Sequence, residues 1–121
     1  MILSSSNTIG QNLNGKYVFK SEINGVDYDY GIIELEIKTD STYIFTEYFG
    51  YKSELNSYFN WKKKKRIGTF KKKHRKKYLI NKLFEEEETS EVKITRNKII
   101  IYAYNSNFKK VKGLELKKSS L

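Results

Sequence analysis

The sequence predicts an all-β domain: a single antiparallel up-and-down meander of 8 to 9 strands that closes into a small barrel. Three observations predict this fold. The chain has no proline and ten tyrosines, short runs of aromatic and β-branched residues alternate with polar ones, and turn residues recur roughly every ten positions. No stretch of ten or more residues has a helical period. Closing the meander would remove the exposed edges that a flat sheet leaves.

The first two strands follow from alternation and from glycine. Tyr17 and Phe19 fall on one face of the first strand, which begins at Gly15, and lysines fall on the other face. Asn24-Gly25 is a strong hairpin signal, so we expect it to join this strand to the second. The apolar phase of the second strand changes after Gly31, which predicts a bulge or bend there.

The remaining strands are predicted in the same way. A turn around Thr39-Asp40-Ser41 leads into residues 42–49, where both faces are apolar and are therefore expected to be covered. Further strands are predicted at 53–61, 66–71 and 77–84, around Val92 and Ile94, and at 98–104 and 108–117. The acidic stretch 85–90 is predicted to be a polar connector.

The chain of 121 residues fits one domain. We expect a flexible Ser/Asn-rich N-terminal segment at 1–14, the barrel at 15–118 and a short tail at 119–121. The absence of cysteine excludes disulfides and thiolate chemistry. The N-terminus lacks the basic and apolar regions of a signal peptide, and no apolar run is long enough to span a membrane. Two interpretations stay open: a soluble cytoplasmic protein, or an exported chain whose leader has been removed.

The positive charge of the chain is concentrated in one tract. Residues 62–77 carry eleven of the twenty-four Lys and Arg and none of the fourteen Asp and Glu, so the tract sums to +11 and the rest of the chain to −1. If His74-Arg75 is a hairpin tip, Lys62 to Lys64 lie across from Glu87 to Glu85; if residues 62–65 form a turn, the charge divides between the two ends of a short strand. The first arrangement leaves six cations clustered near the tip: Lys71, Lys72, Lys73, Arg75, Lys76 and Lys77.

The residues offer little material for catalysis. His74 is the only histidine, it lies between two cationic residues, and it has no neighbouring acid to orient it. The carboxylate pairs Asp27/Asp29 and Glu34/Glu36 are typical of outward charges on amphipathic strands. The acidic run near 85–88 lacks the turn glycine and ligand alternation of a cation loop. We therefore predict no catalytic residue, no metal site, no cofactor and no enzymatic activity.

Three short motifs carry a family resemblance. Gly15-Lys16-Tyr17 opens the first strand, Asp40-Ser41-Thr42-Tyr43-Ile44-Phe45 turns into the third, and Gly68-Thr69-Phe70 lies in mid-chain. Together they resemble the bacterial lipocalin-like, calycin-type β-barrel domains, with Tyr17 where the wider family has tryptophan. The resemblance implies a barrel that holds a small apolar ligand or serves as an accessory domain. The interior positions expected to line a pocket are Tyr17, Phe19, Ile33, Leu35, Phe45 and Ile101.

The basic tract gives an alternative function, which is polyanion binding through Lys62 to Lys77, with nucleic acid, an acidic glycan or an acidic protein as the partner. Aromatic residues flank the tract and could stack on bases: Phe59, Trp61, Phe70 and Tyr78. Phe59 and Trp61 share a face with Leu55, however, which favours a place in the core. Nine lysines against two arginines favour diffuse phosphate attraction over base reading.

Overall fold

The computed structural model describes residues 15–83, 86–95 and 97–119, with the side chains of 82, 83, 86 and 87 left out. Eight strands and one 3-10 helix follow each other along the chain: β1 (Gly15–Glu22), β2 (Tyr30–Ile37), β3 (Thr42–Gly50), the 3-10 helix (Lys52–Asn60), β4 (Lys62–Lys73), β5 (Lys76–Leu83), β6 (Glu86–Ile94), β7 (Lys98–Tyr104) and β8 (Lys110–Lys118). Each strand pairs antiparallel with the next, and β8 pairs with β1 to close the barrel. The predicted all-β meander and its closure are confirmed. At this coarse level the architecture agrees with a lipocalin-like barrel.

The main core fills one half of the barrel. Strand alternation aims every second side chain inward, and cross-strand partners share a face, so Tyr17 of β1 and Leu35 of β2 enter the interior together. Ile99 and Leu116 meet them from β7 and β8, and all four side chains are fully buried. Burying each such side chain stabilises the fold by roughly 1.5–3 kcal/mol. We call this half the packed end; it lies where β1 begins and β2 ends.

A second apolar cluster lies outside the barrel, on the outer face of β2 and β3. Ile32 and Tyr48 are buried there against Trp61, which follows the 3-10 helix. Gly50 lies directly beneath the Trp61 ring, and a Cβ added at Gly50 would come within 2.1 Å of it. Covering this face explains why residues 42–49 are apolar on both sides, as the sequence predicts.

The predicted bulge at Gly31 is wrong. The register between β1 and β2 runs without interruption through the pair Ser21 and Gly31. The apolar phase of β2 changes because both faces of the strand are covered. The 3-10 helix covers its outward residues, and the core covers its inward residues. The register shift of the barrel lies instead between Ile101 and Tyr102, where β7 pairs with β8.

The predicted strand at 53–61 is also wrong, because most of it forms the 3-10 helix. Leu55, Tyr58 and Trp61 follow one another at intervals of three residues, the period of a 3-10 helix, and all three pack in the outer cluster. Trp61 is buried as expected, but Phe59 is 58% exposed, so its predicted place in the core is wrong.

Two connections differ from prediction. The Asn24-Gly25 signal does join β1 to β2, but within a longer loop, closed by the Ile23 amide donating to the Asp29 carbonyl at 3.0 Å. The predicted polar connector at 85–90 is mostly strand, since β6 begins at Glu86 and pairs with β5. Pairing with a neighbour outweighs the low strand propensity of glutamate here. The predicted N-terminal segment 1–14 lies outside the described residues, as do residues 120 and 121 of the tail.

Candidate ligand-binding site

A cavity of about 170 Å³ lies inside the barrel, beside the main core and towards the end away from Gly15. Its walls are mostly apolar with four polar side chains, and its lining residues are Tyr43, Phe45, Arg66, Leu79, Asn81, Glu88, Ser90, Ile101 and Leu114. An engineered apolar cavity of about 150 Å³ is known to admit benzene, whereas pockets for drug-sized ligands measure roughly 300–1,000 Å³. The cavity therefore has room for a small molecule only.

Strand register brings these side chains together. Phe45 of β3 lies opposite Arg66 of β4, and Asn81 of β5 lies opposite Glu88 of β6. Ile101 and Leu114 pair in the same way between β7 and β8 and close the apolar side. Because partners share a face, the interior acquires a polar wall on β4 to β6 and an apolar wall on β3, β7 and β8.

Asn81 is the most informative residue of the cavity. Its side chain is only 8% exposed, and its amide Nδ2 has no hydrogen-bond partner in the described part of the structure. Leaving such a donor unpaired in a protein interior costs about 1–3 kcal/mol, and most buried polar groups are paired. The Nδ2 atom itself is closed to solvent, so an acceptor atom of a ligand in the cavity would reach it only after a small movement of the Asn81 side chain.

The charged groups lie at the mouth of the cavity. Arg66 keeps 43% of its side chain exposed and contacts Glu47 at 4.0 Å. Glu88, on β6, also lines the cavity and is exposed. The Arg66 and Glu47 pair is worth little in energy because it is long and partly solvated.

The Tyr43 ring lies over Gly68, its cross-strand partner on the neighbouring strand β4. A Cβ added at Gly68 would come within 2.4 Å of this ring, so the glycine of the Gly68-Thr69-Phe70 motif leaves the space that the ring occupies. Burial raises the pKa of the Tyr43 hydroxyl; Glu88 raises it further, while Arg66 partly offsets this. The hydroxyl therefore stays protonated at neutral pH and is able to donate a hydrogen bond.

The six predicted interior residues all point into the barrel, but they separate into three groups. Phe45 and Ile101 line the cavity. Tyr17 and Leu35 are fully buried in the packed end, and Ile33 packs against the same cluster. Phe19 also packs there, and it borders a different opening in the barrel wall.

That opening follows from a short seam between the first and last strands. Among the described residues, the β1 and β8 ladder has two pairs, Tyr17 with Lys118 and Val18 with Lys117. Beyond them the strands separate, and a cleft of about 740 Å³ lies between them. The register shift between Ile101 and Tyr102 lies where β7 pairs with residues 112–114 of β8, the part of β8 that no longer pairs with β1. Such irregularities bend a strand.

Sequence reasoning missed the polar side of the cavity. Asn81 and Ser90 are polar residues in the inward phase of their strands, in step with Leu79 and Val92. A polar residue that interrupts an apolar phase is a signal that a sequence does carry. This signal can be used only when the strand boundaries are known. Because residues 85–90 were predicted to be a connector, Ser90 was not assigned to a strand.

Glu34, from one of the carboxylate pairs, and His74 do not line the cavity. Glu34 lies on the outer face of β2, where it accepts hydrogen bonds from the hydroxyls of Tyr48 and Tyr58. His74 is an exposed turn residue with a positive φ of 58°. No group of three or more His, Asp or Glu side chains within the described ranges is arranged to hold a metal ion.

The six predicted polyanion-binding residues lie together at the packed end. Lys71, Lys72 and Lys73 end β4, Arg75 lies in the turn, and Lys76 and Lys77 begin β5. All are exposed except the half-buried Lys77. We call residues 71–77 the cationic ribbon. The tip at His74-Arg75 is as predicted. Lys62 to Lys64 pair with β3, and Glu86 and Glu87 pair with β5, so the predicted pairing of Lys62 with Glu87 and of Lys63 with Glu86 is wrong, while Glu85 lies outside the described residues. The alternative turn at 62–65 is equally wrong, since β4 includes those residues.

Comparison with protein-family models, with curated proteins and with solved structures finds no match for this chain. No helix in the part of the chain that the structure describes is long and apolar enough to cross a membrane. The interpretation of the site therefore rests on its own geometry.

Proposed function

We propose that this domain is a non-enzymatic, lipocalin-like binding protein that holds a small, mostly apolar ligand inside its barrel. The observation that supports this most is the buried, unpaired Nδ2 of Asn81, a residue that lines a mostly apolar cavity. A barrel kept only for its stability gains nothing from a buried donor without a partner, because an apolar residue of similar volume would be more stable. A bound acceptor atom gives this donor its partner.

The size and polarity of the cavity define the ligand. A volume of about 170 Å³ suits a single ring or a short chain rather than a long fatty acid. The apolar part of the ligand packs against Phe45, Ile101 and Leu114, and its oxygen accepts from Asn81. Arg66 favours a negative charge on that oxygen and Glu88 disfavours it, so a partial charge, as on a hydroxyl or carbonyl oxygen, suits the site best.

The proposal is tested by titrating the protein with benzene, phenol, benzoate and hexanoate while recording amide chemical shifts. We expect saturable binding, with shifts at Asn81, Ser90 and Ile101, and we expect phenol or benzoate to bind more tightly than benzene. A neutral hydrogen bond of this kind contributes about 0.5–1.5 kcal/mol, which corresponds to a roughly two- to tenfold preference.

The variant Asn81→Leu distinguishes recognition of the ligand oxygen by the amide from nonspecific packing of a ligand in the cavity. The variant should lose the preference for oxygen-bearing ligands, whereas the matched change Asn56→Leu on the exposed 3-10 helix should leave it intact. If none of the four probes binds to a folded protein, or if Asn81→Leu keeps the wild-type preference for oxygen-bearing ligands, the proposed site is wrong.

A further inference from the structure

The cationic ribbon is a two-stranded extension of the barrel. β4 pairs with β3 up to the contact of Thr42 with Thr69, and β5 pairs with β6 only as far as Lys77. Beyond these points β4 and β5 pair with each other alone, in a register that ends at Lys73 opposite Lys76. The ribbon therefore projects from the packed end and, among the described residues, has no strand neighbour on either side of its tip.

The charges of the ribbon oppose its own folding. Lys73 faces Lys76 and Lys72 faces Lys77 directly across the ladder, and directly opposed like charges destabilise a sheet by some tenths of a kcal/mol per pair. Only Lys76 has an acidic partner among the described residues, Glu91 at 4.0 Å. An arrangement that costs stability, and that the described residues compensate at Lys76 alone, favours a partner that supplies the negative charge.

Both faces of the ribbon are cationic. Alternation places Lys71, Lys73 and Lys76 on the outward face, and it places Lys72 and Lys77 on the face that continues the barrel interior. Arg75 lies at the tip between them. A flat anionic surface can contact only one of these faces at a time, whereas a groove with a charged wall on each side can contact both.

We propose that the cationic ribbon inserts into a groove of double-stranded nucleic acid and contacts the phosphates of both groove walls. The major groove of a duplex is about 12 Å wide and admits a two-stranded β-ribbon. Five of the six cations are lysines, which supply point charges for phosphates rather than the bidentate groups that read bases, so binding depends little on sequence.

The aromatic residues favour a duplex over a single strand. Single strands are bound by stacking bases on exposed rings. Trp61 is buried in the outer cluster, Phe70 packs against the main core, and Tyr78 is half-buried. Phe59 is exposed, but it lies on the 3-10 helix, at the opposite end of β4 from the ribbon. The ribbon therefore offers charge without stacking platforms.

The test compares a 20-base-pair duplex with a single strand of equal phosphate number by fluorescence anisotropy over a range of salt concentrations. We expect the duplex to bind more tightly than the single strand. With four to six phosphates contacted, duplex affinity should fall by roughly 100-fold or more between 50 and 200 mM salt. Equal or tighter binding of the single strand, or binding that salt hardly changes, would overturn the proposal.

Two variants with the same loss of charge locate the site. Changing Lys71, Lys72, Lys73, Lys76 and Lys77 to Gln should lower duplex affinity at least about tenfold at 100 mM salt and reduce its salt dependence. The control changes five lysines outside the ribbon to Gln: Lys16, Lys20, Lys65, Lys109 and Lys117. It should lower the affinity less than about threefold, and equal losses in the two variants would contradict a ribbon site. Circular dichroism verifies that both fold. Benzene binding should persist in both, because the cavity does not include these lysines.

Discussion

The two halves of this barrel are built from the same inward-facing strand positions but are filled differently. At the packed end, Tyr17, Leu35, Ile99 and Leu116 leave no exposed side-chain surface. Towards the other end the interior holds a cavity with an unpaired amide, and the first and last strands separate after two residue pairs. In the proposed function, one half maintains the fold and the other half holds the ligand. Binding sites commonly reduce stability in this local way.

The largest effect should come from matched leucines on β8. Leu116→Ala removes a fully buried side chain from the packed end and should lower the free energy of unfolding by about 2–5 kcal/mol. Leu114→Ala, two residues away on the same face, enlarges an existing cavity and should cost only about 1–2 kcal/mol, because that side chain is partly exposed. Urea denaturation measures both. Equal costs at the two positions would remove the distinction between the halves.

A smaller effect of opposite sign is expected at Asn81. Asn81→Leu replaces the unpaired amide with an apolar group in a cavity that has room for it, so the free energy of unfolding should rise by about 1–2 kcal/mol. Asn56→Leu, at an exposed position, should change it by less than about 0.5 kcal/mol. A destabilised Asn81→Leu protein would mean that the native amide is satisfied in solution.

The next effect concerns the outer cluster and appears only in alkali. Burial and the Glu34 carboxylate raise the pKa of Tyr48 to about 12, and the hydrogen bond to Glu34 together with burial raises that of Tyr58 to about 12. These tyrosines stay protonated in the folded state at a pH where they ionise in the unfolded chain. Their contribution to stability is therefore complete below about pH 10 and is lost as the pH rises towards 12.

Absorbance at 295 nm distinguishes this delayed ionisation. The phenolate signal of the folded protein should rise in stages, with a late step near pH 12 that shrinks in Tyr48→Phe and in Tyr58→Phe. The control Tyr51→Phe, at an exposed tyrosine, should leave the late step unchanged. A single ionisation step near pH 10 for every tyrosine would show that the Glu34 contacts do not persist in solution.

Local patterns were sufficient to predict most of the strands. Period-2 alternation identified β1, and apolar residues on both faces identified β3 and β7. Phe45 and Ile101 were expected in the interior, and they do line the cavity. Apolar residues at 55, 58, 59 and 61 fit both a strand and a 3-10 helix, and only packing onto β2 and β3 favours the helix. The pattern of apolar residues alone therefore fails to predict an element whose type is determined by tertiary packing.

The candidate site was harder to predict because it depends on contacts between distant parts of the chain. Asn81 and Glu88 become neighbours only through the β5 and β6 register, and β6 begins in an acidic run of low strand propensity. The short β1 and β8 seam depends on the pairing of the two ends of the domain. The cationic ribbon was easier to predict, since its charges and its two-residue tip are adjacent in sequence.

Amide hydrogen exchange, with and without saturating benzene, tests the division of the barrel most directly. In the free protein, the amides of Tyr17, Leu35 and Ile99 should be protected nearly to the limit of global unfolding, and those of Asn81 and Ile101 should exchange by easier local opening. Benzene should increase protection at Asn81 and Ile101 more than at the packed end. Uniform protection throughout the barrel that benzene leaves unchanged would contradict the account.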